Sequence, residues 1–212
     1  MESQSHHGYC ARPGEVDVRV IGPAATLEEA DKIIKEAFAQ QLYTTGDEDL
    51  EEVVVRLLAQ RKQTLAVAES CTGGALASRI TDVPGASAVF LAGFVTYANE
   101  AKAEMLRVTR TTISTQGAVS EAVARQMAEG AIARANSHYA LATTGIAGPS
   151  GGSDEKPVGT VFIAVASASG ETQVHRRRFQ TDRSSFKQLV TETALELLRE
   201  RLVAEEGESA AA

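Results

Sequence analysis

Ser70 lies at a junction where a reactive side chain would be displayed, because a short apolar stretch ends just before it and two glycines follow. Residues 64–68 (TLAVA) predict a buried strand, and residues 75–81 predict a helix. In open α/β sheets, ligands bind beyond the carboxyl ends of strands. Free N–H groups at the helix start, with Gly73 and Gly74 allowing close approach, would form an anion site beside the Ser70 hydroxyl. The alternative is that Ser70 only caps the helix and the glycines only allow tight packing.

A second glycine-rich segment, residues 143–149 (TTGIAGP), follows another predicted strand, residues 139–143. It lacks the Gly-Lys-Ser/Thr ending of a Walker loop, and no helix follows it as in a dinucleotide-binding fingerprint. Its glycines would expose successive N–H groups as a nest for phosphate or for a developing oxyanion. The alternative is a plain surface loop. Because both glycine segments follow strands of one small domain, we expect them to share a pocket.

The elements that must position these loops are predicted from hydrophobic periodicity and capping patterns. Strands are predicted over residues 15–21, 64–68, 89–97 and 139–143, with a hairpin over 158–168 and 172–179. Helices are predicted over residues 27–41 (opened by Thr26 and Glu29), 50–61, 75–81, a short stretch capped by Asn99, 120–136, and from Asp182 to about 203. Strands alternating with helices predict an α/β fold, a three-layer α/β/α sandwich with a mixed, mostly parallel sheet.

The sequence Thr45-Gly46-Asp47 is the first clear boundary. Residues 1–14 are polar and are expected to be irregular, so residues 1–46 would form a small N-terminal βα arm. One strand and one helix bury too little surface to be stable alone. We expect the main domain over residues 47–206 and a disordered tail over 207–212.

Composition excludes several function classes. The 212 residues carry a net charge of −7, which argues against nucleic acid as the main partner. The longest nearly apolar run, residues 86–95, is about half of the roughly 20 residues that a membrane helix needs. The N-terminus has no secretory signal pattern, and two cysteines form no disulfide framework, so we expect a cytoplasmic protein. No spacing of His, Cys, Asp or Glu fits a metal site, and no cofactor is expected.

Five ordered motifs resemble the CinA C-terminal domain, the nicotinamide-nucleotide amidohydrolase (PncC) family. The motifs are AESCTGG (68–74), TYANEAK (96–102), GAVS (117–120), TGIAGP (144–149) and EKPVGT (155–160). The resemblance covers residues 47–203, and residues 15–45 look like the end of the linking domain that precedes it in longer members. The chain would then be a fragment or a shortened form of such a protein. Ala98 and Ser150 depart from the family pattern without removing a proposed reacting group.

The resemblance implies hydrolysis of the carboxamide of nicotinamide mononucleotide, giving nicotinate mononucleotide and ammonia, by a protein that forms a homodimer or higher homo-oligomer. It implies Ser70 as nucleophile and Lys102 as base. Tyr97 is a further candidate, to orient the lysine or to stack on the pyridine ring, the alternative being that it only packs in its strand. The residues predicted to contact the substrate or its phosphate are Thr72, Gly73, Gly74, Thr144, Gly145 and Gly148.

A serine–lysine pair also makes chemical sense without the resemblance. An amide is a poor electrophile, so its hydrolysis needs a nucleophile, a base and an oxyanion site. No histidine is well placed: His6 and His7 lie in the N-terminal segment, and His138 and His175 adjoin predicted strands. To act as base, Lys102 must lower its pKa from about 10.4 toward 7–8, which partial burial can do.

Alternatives remain open at this point. Cys71 is a rival nucleophile, since thiols at helix N-termini become more acidic, although a small buried side chain is the plainer role. Residues 176–178, three arginines on a strand, either protect a sheet edge or bind phosphate. Other functions are a nucleotide-binding regulatory module without turnover, acting in competence or damage response, and a structural dimerisation domain.

Overall fold

The computed structural model describes residues 6–211, with side chains through residue 207. The described chain divides into two compact units after Glu48, two residues beyond the predicted boundary. No helix among these residues is long and apolar enough to cross a membrane.

The first unit contains a two-stranded sheet and one helix. Its elements are β1 (His6–Arg12), antiparallel β2 (Glu15–Ile21) and α1 (Ala24–Ala37). Strand β2 has the predicted bounds, but β1 lies where an irregular segment was expected, because a Pro13-Gly14 turn folds it back onto β2. Helix α1 begins after Pro23 and not at the predicted Thr26 cap. No residue in 6–48 is buried, so the unit has no core of its own.

The second unit is built on a five-stranded mixed sheet. In chain order its strands are β3 (Leu65–Glu69), β4 (Phe90–Val95), β5 (Tyr139–Gly145), β6 (Thr160–Ser167) and β7 (Gln173–Arg178). Their spatial order is β4-β3-β5-β6-β7. Strand β3 pairs in parallel with β4 and β5, whereas β6 pairs antiparallel with both β5 and β7. The carboxyl ends of three parallel strands therefore meet at one edge.

Six α-helices flank this sheet among the described residues. They are α2 (Leu50–Gln60), α3 (Ala75–Thr81), α4 (Asn99–Leu106), α5 (Arg110–Gln116), α6 (Glu121–Ala135) and α7 (Arg183–Ala211), with a 3-10 turn at Ala86–Ala88. Helices α2, α3 and α7 pack together, and α4 and α5 pack on α6, which lies against the sheet. This is the predicted three-layer arrangement.

Three helix predictions need correction. Helix α5 was not predicted; Thr109 caps its start by accepting a hydrogen bond from the Thr112 N–H. Asn99 is the first residue of α4 and does not cap it, since α4 has no side-chain cap. Helix α7 continues to Ala211, so residues 207–211 are helical where a disordered tail was expected. Alanine and glutamate favour helix, which explains the extension.

Small residues bring α6 and α4 close to the sheet. The core on that side contains Ala124, Ala128 and Ala131 of α6, packed against strand alanines. A Cβ at Gly130 would overlap the carbonyl oxygen of Leu106, the last residue of α4. Glycine at this position therefore lets α4, which carries Lys102, lie directly against α6.

Candidate active site

Glu69, the last residue of β3, occupies the place at which the sequence predicted a free anion site. Its side chain is fully buried, and its carboxylate accepts hydrogen bonds from the backbone N–H groups of Gly74 (2.9 Å), Leu76 (3.1 Å) and Ala77 (2.8 Å). A carboxylate is the kind of anion that a helix N-terminus stabilises. The prediction that these N–H groups are free for a ligand is wrong, because the chain supplies the anion itself.

The turn between Ser70 and α3 still leaves backbone donors free. Gly73 and Gly74 have φ values of +61° and +95°, which glycine adopts readily. The Thr72 hydroxyl is buried and pairs with the Thr143 hydroxyl at 2.8 Å, so this side chain is already engaged. Within residues 6–211, however, the backbone N–H groups of Thr72 and Gly73 have no protein acceptor.

Ser70 and Lys102 lie within hydrogen-bond distance of each other. Lys102 Nζ is 3.1 Å from Ser70 Oγ, inside the range expected for a nucleophile and its base. The same nitrogen donates to the carbonyl oxygens of Thr96 (2.8 Å) and Tyr97 (3.2 Å). Both carbonyls belong to the segment that joins β4 to α4, so this segment fixes the lysine over the end of β3.

The surroundings of Lys102 make its neutral form more accessible than that of an exposed lysine. The residue is only 1% exposed, and the burial lowers its pKa from the ordinary value near 10.5. A neutral amine has two N–H bonds and one lone pair. In the structure Nζ donates to Ser70 Oγ and to both carbonyl oxygens; once the amine is neutral, the two carbonyl oxygens can hold its N–H bonds while its lone pair accepts the Ser70 hydroxyl proton. The arrangement suits a general base.

Cys71 is not an activated thiol. It is buried, and the burial raises its pKa to about 12. A thiol with that pKa is almost fully protonated near neutral pH, and the thiolate is the nucleophilic form. Cys71 therefore packs as a small apolar side chain, which was the plainer of the two roles considered.

Tyr97 contacts Lys102 through its backbone and not through its ring. Its carbonyl oxygen accepts from Lys102, while its side chain is 61% exposed. The phenol oxygen accepts a hydrogen bond from Arg183 Nη2 at 2.9 Å. The ring therefore stands at the rim of the site and is largely exposed.

The second glycine segment adjoins Ser70 but differs from a phosphate nest. The Ser70 N–H donates to the Thr143 carbonyl at 2.9 Å, which places the end of β5 beside the nucleophile. The Thr144 hydroxyl donates to the Ala118 carbonyl at 2.8 Å. A Cβ at Gly145 would press on Thr160 and Val161, and one at Gly148 would overlap Val158. Both glycines are therefore required for packing, a role that their sequence spacing did not reveal.

Two cations at the start of α7 were missed by the sequence analysis. Arg183 Nη1 donates to the Gly148 carbonyl at 3.1 Å, so its guanidinium bridges the second glycine segment and Tyr97. One turn later, Lys187 Nζ lies 3.8 Å from where a Cβ of Gly73 would stand. Among the described residues Lys187 has no hydrogen-bond or ion-pair partner. The only sequence signal for them was the predicted cap at Asp182, which places Arg183 and Lys187 in the first two turns of the last helix.

Other predicted candidates lie away from this site or have structural roles. Arg176 lies on the edge strand β7, where its guanidinium donates to the Glu155 carbonyl and stands over the ring of Phe162. His138 Nδ1 accepts a hydrogen bond from the Thr64 N–H at 3.1 Å. Across the part of the chain that the structure describes, no group of three or more His, Cys, Asp or Glu side chains could hold a metal ion.

Comparison with known proteins identifies relatives of the whole second unit. The family model for the CinA C-terminal domain matches residues 47–202. A CinA-like protein from Akkermansia muciniphila is 49% identical over 187 residues, covering 88% of this chain and 45% of that protein. A putative competence-damage inducible protein from Alkaliphilus oremlandii is 40% identical over 91% of this chain and 48% of its own length. The chain thus spans about half the length of the curated relatives it matches.

Solved structures show the same fold. Competence/damage inducible protein CihA from Agrobacterium tumefaciens is 41% identical with a TM-score of 0.67, over 73% of this chain and 97% of that chain. A CinA superfamily protein from Klebsiella pneumoniae is 36% identical with a TM-score of 0.70, over 73% and 96% of the two chains. Sequence and fold agree over the same unit, and this chain belongs to the CinA C-terminal domain family.

Proposed function

We propose that the second unit is an amidohydrolase that converts nicotinamide mononucleotide and water to nicotinate mononucleotide and ammonia. The observation that carries the proposal is the contact of 3.1 Å between Lys102 Nζ and Ser70 Oγ, made by a buried lysine whose pKa is lowered. This contact brings a base whose pKa is lowered to the side chain that it must deprotonate.

The proposed reaction has two halves. Ser70 Oγ attacks the carboxamide carbon while its proton moves to Lys102 Nζ. The tetrahedral intermediate collapses, its C–N bond breaks, and Lys102 returns the proton to the leaving nitrogen, which departs as ammonia. Water then attacks the Ser70 ester with Lys102 as base, and the acid leaves as Ser70 recovers its proton.

The developing oxyanion needs donors close to Ser70. The backbone N–H groups of Thr72 and Gly73 are free and follow Ser70 within three residues, so we assign this role to them. Backbone donors held in a turn need no reorganisation during the reaction. Loss of one such donor costs about 100- to 1,000-fold in rate in other serine hydrolases.

The phosphate of the substrate needs cations away from the reacting carbon. Arg183 and Lys187 satisfy this requirement, since one borders Tyr97 and Gly148 and the other borders Gly73. Arginine and lysine form charge-assisted hydrogen bonds with phosphate oxygens. The exposed ring of Tyr97 is available to stack on the pyridine ring at the same rim.

An ammonia-release assay tests the proposal directly. Purified protein is incubated with nicotinamide mononucleotide, and ammonia and nicotinate mononucleotide are both quantified. We expect equimolar formation of the two products, with none from Ser70→Ala. Binding of the nucleotide without release of ammonia at any pH from about 6 to 10 would replace the enzyme by a regulatory binding module.

A further inference from the structure

We propose that Glu69 is a positioning residue, whose carboxylate holds the turn after Ser70 so that the Thr72 and Gly73 N–H groups stay free for the oxyanion. The inference deepens the proposed amidohydrolase function and rests on it. Glu69 does not touch the substrate; it acts through the backbone of residues 70–74.

The contacts of Glu69 connect both sides of the nucleophile. Its carboxylate holds the N–H groups of Gly74, Leu76 and Ala77, while its own carbonyl oxygen accepts from the Thr96 N–H at 2.8 Å. Thr96 is also an acceptor for Lys102. The Glu69 side chain therefore ties the end of β3 to the start of α3, while the link to the segment that holds the base runs through a backbone carbonyl that any residue would supply.

The buried carboxylate restricts the conformation of the turn. Glu69 is 0% exposed, so its charge must be met by protein donors. Three N–H groups at the start of α3 meet it, which draws residues 70–74 into a tight turn that includes the left-handed conformations of Gly73 and Gly74. A relaxed turn would let the Thr72 and Gly73 donors find acceptors in the chain or in water, and the preorganised oxyanion site would be lost.

Glu69 acts on the turn and not on the base. Its carboxylate contacts the N–H groups of Gly74, Leu76 and Ala77 and not Lys102, whose pKa is lowered by burial. Removing the charge should therefore reduce turnover while leaving the pH profile of Lys102 in place. If Glu69 only stabilised the fold, its replacement would lower the melting temperature without reducing the turnover of the folded protein.

The test compares Glu69→Gln with Asp49→Asn in the full chain. Asp49 also caps a helix with its carboxylate, α2, and lies outside the proposed machinery, so the second variant is a matched control. For Glu69→Gln we expect kcat to fall about 100-fold, the cost of losing an oxyanion donor, with KM within about threefold and the pH profile unshifted. Asp49→Asn removes the charge but keeps a capping oxygen, so it should keep kcat.

Labelling of Ser70 by a fluorophosphonate gives a readout independent of the natural substrate. The Oγ–P bond forms as the P–F bond breaks, fluoride leaves, and Lys102 takes the hydroxyl proton, with the phosphoryl oxygen in the oxyanion site. We expect Glu69→Gln to label at least about tenfold more slowly, in proportion to weakened oxyanion stabilisation. If the parent labels at Ser70 but releases no ammonia, the amidohydrolase proposal fails while the labelling comparison still decides the role of Glu69.

Normal kcat and labelling in a folded Glu69→Gln protein, with only the melting temperature lowered, would overturn the inference. If Glu69→Gln does not fold, Glu69→Asp takes its place, since it keeps the charge but shortens the reach to α3. Slower labelling by Glu69→Asp supports the positioning role, and labelling at the parent rate overturns it.

Discussion

Lys102 Nζ lies 3.1 Å from Ser70 Oγ although 32 residues separate the two in the chain. Ser70 follows β3 and Lys102 lies in α4, after the neighbouring strand β4. Since β3 and β4 are parallel neighbours, their carboxyl ends bring the two side chains together.

Ser70→Ala and Lys102→Met should each remove nearly all amidase activity, and the double variant should be little worse than either. The two groups act as one unit, so their effects on kcat are not additive. Nucleotide affinity, measured by calorimetry, should change less than about tenfold, because the phosphate and ring contacts lie elsewhere. Multiplicative losses in the double variant would show that the two residues act independently.

Cys71→Ala should keep most of the activity. The thiol is buried and its pKa is about 12, so it supplies no nucleophile near neutral pH. Steady-state kinetics of Cys71→Ala and Ser70→Ala, measured in parallel, provide the check. Normal turnover by Ser70→Ala, together with loss in Cys71→Ala, would assign the nucleophile to Cys71.

The pH–rate profile should rise with pH through the pKa of Lys102 and reach a plateau above it. The base works only when neutral, and burial places its pKa below the usual 10.5. The midpoint of kcat/KM against pH should therefore lie clearly below 10.5. A value of kcat/KM that stays constant, or that falls, as pH rises toward 10.5 would exclude Lys102 as the base.

Lys102 should also make stability depend on pH. Its folded pKa is lowered, so between that value and 10.5 the unfolded chain binds more protons than the folded chain. Below this window the buried Lys102 must be protonated in the folded chain, which lowers the free energy of unfolding. As pH rises through the window this loss is removed, and the free energy of unfolding rises by at most about 1.4 kcal/mol per pH unit. Denaturant unfolding of the parent and of Lys102→Met should show this rise in the parent and a smaller one in the variant.

Lys187→Met should raise KM for nicotinamide mononucleotide about tenfold with little change in kcat, the effect of losing one charge-assisted hydrogen bond. The side chain borders Gly73 and has no partner among the described residues. Arg61→Met is the control, because Arg61 pairs with Glu206 at the far end of α7. An equal change of KM in both variants would show that KM depends on the overall charge of the protein and not on a phosphate site at Lys187.

The sequence by itself determined the elements whose signals are local. Strand β2 and helix α3 have the predicted bounds, and α6 begins at Glu121, one residue after the predicted start, because alternation and helix-start signals depend on adjacent residues. Strand β1 gave no such signal, since HHGYCAR has no alternating apolar residues and is held by its pairing with β2. The order of the motifs also sufficed to indicate the family.

Only the tertiary structure decided which groups are free and which are occupied. The sequence at the start of α3 predicted an anion site, but the Glu69 carboxylate fills it. Gly145 and Gly148 are needed because a Cβ at either position would clash with β6 or with the segment before it. The burial that lowers the pKa of Lys102 and the bridge from Arg183 to Tyr97 depend on elements far apart in sequence. Desolvation and hydrogen-bond occupancy are properties of the packed neighbours, and the sheet order that chooses those neighbours is not encoded in any one segment.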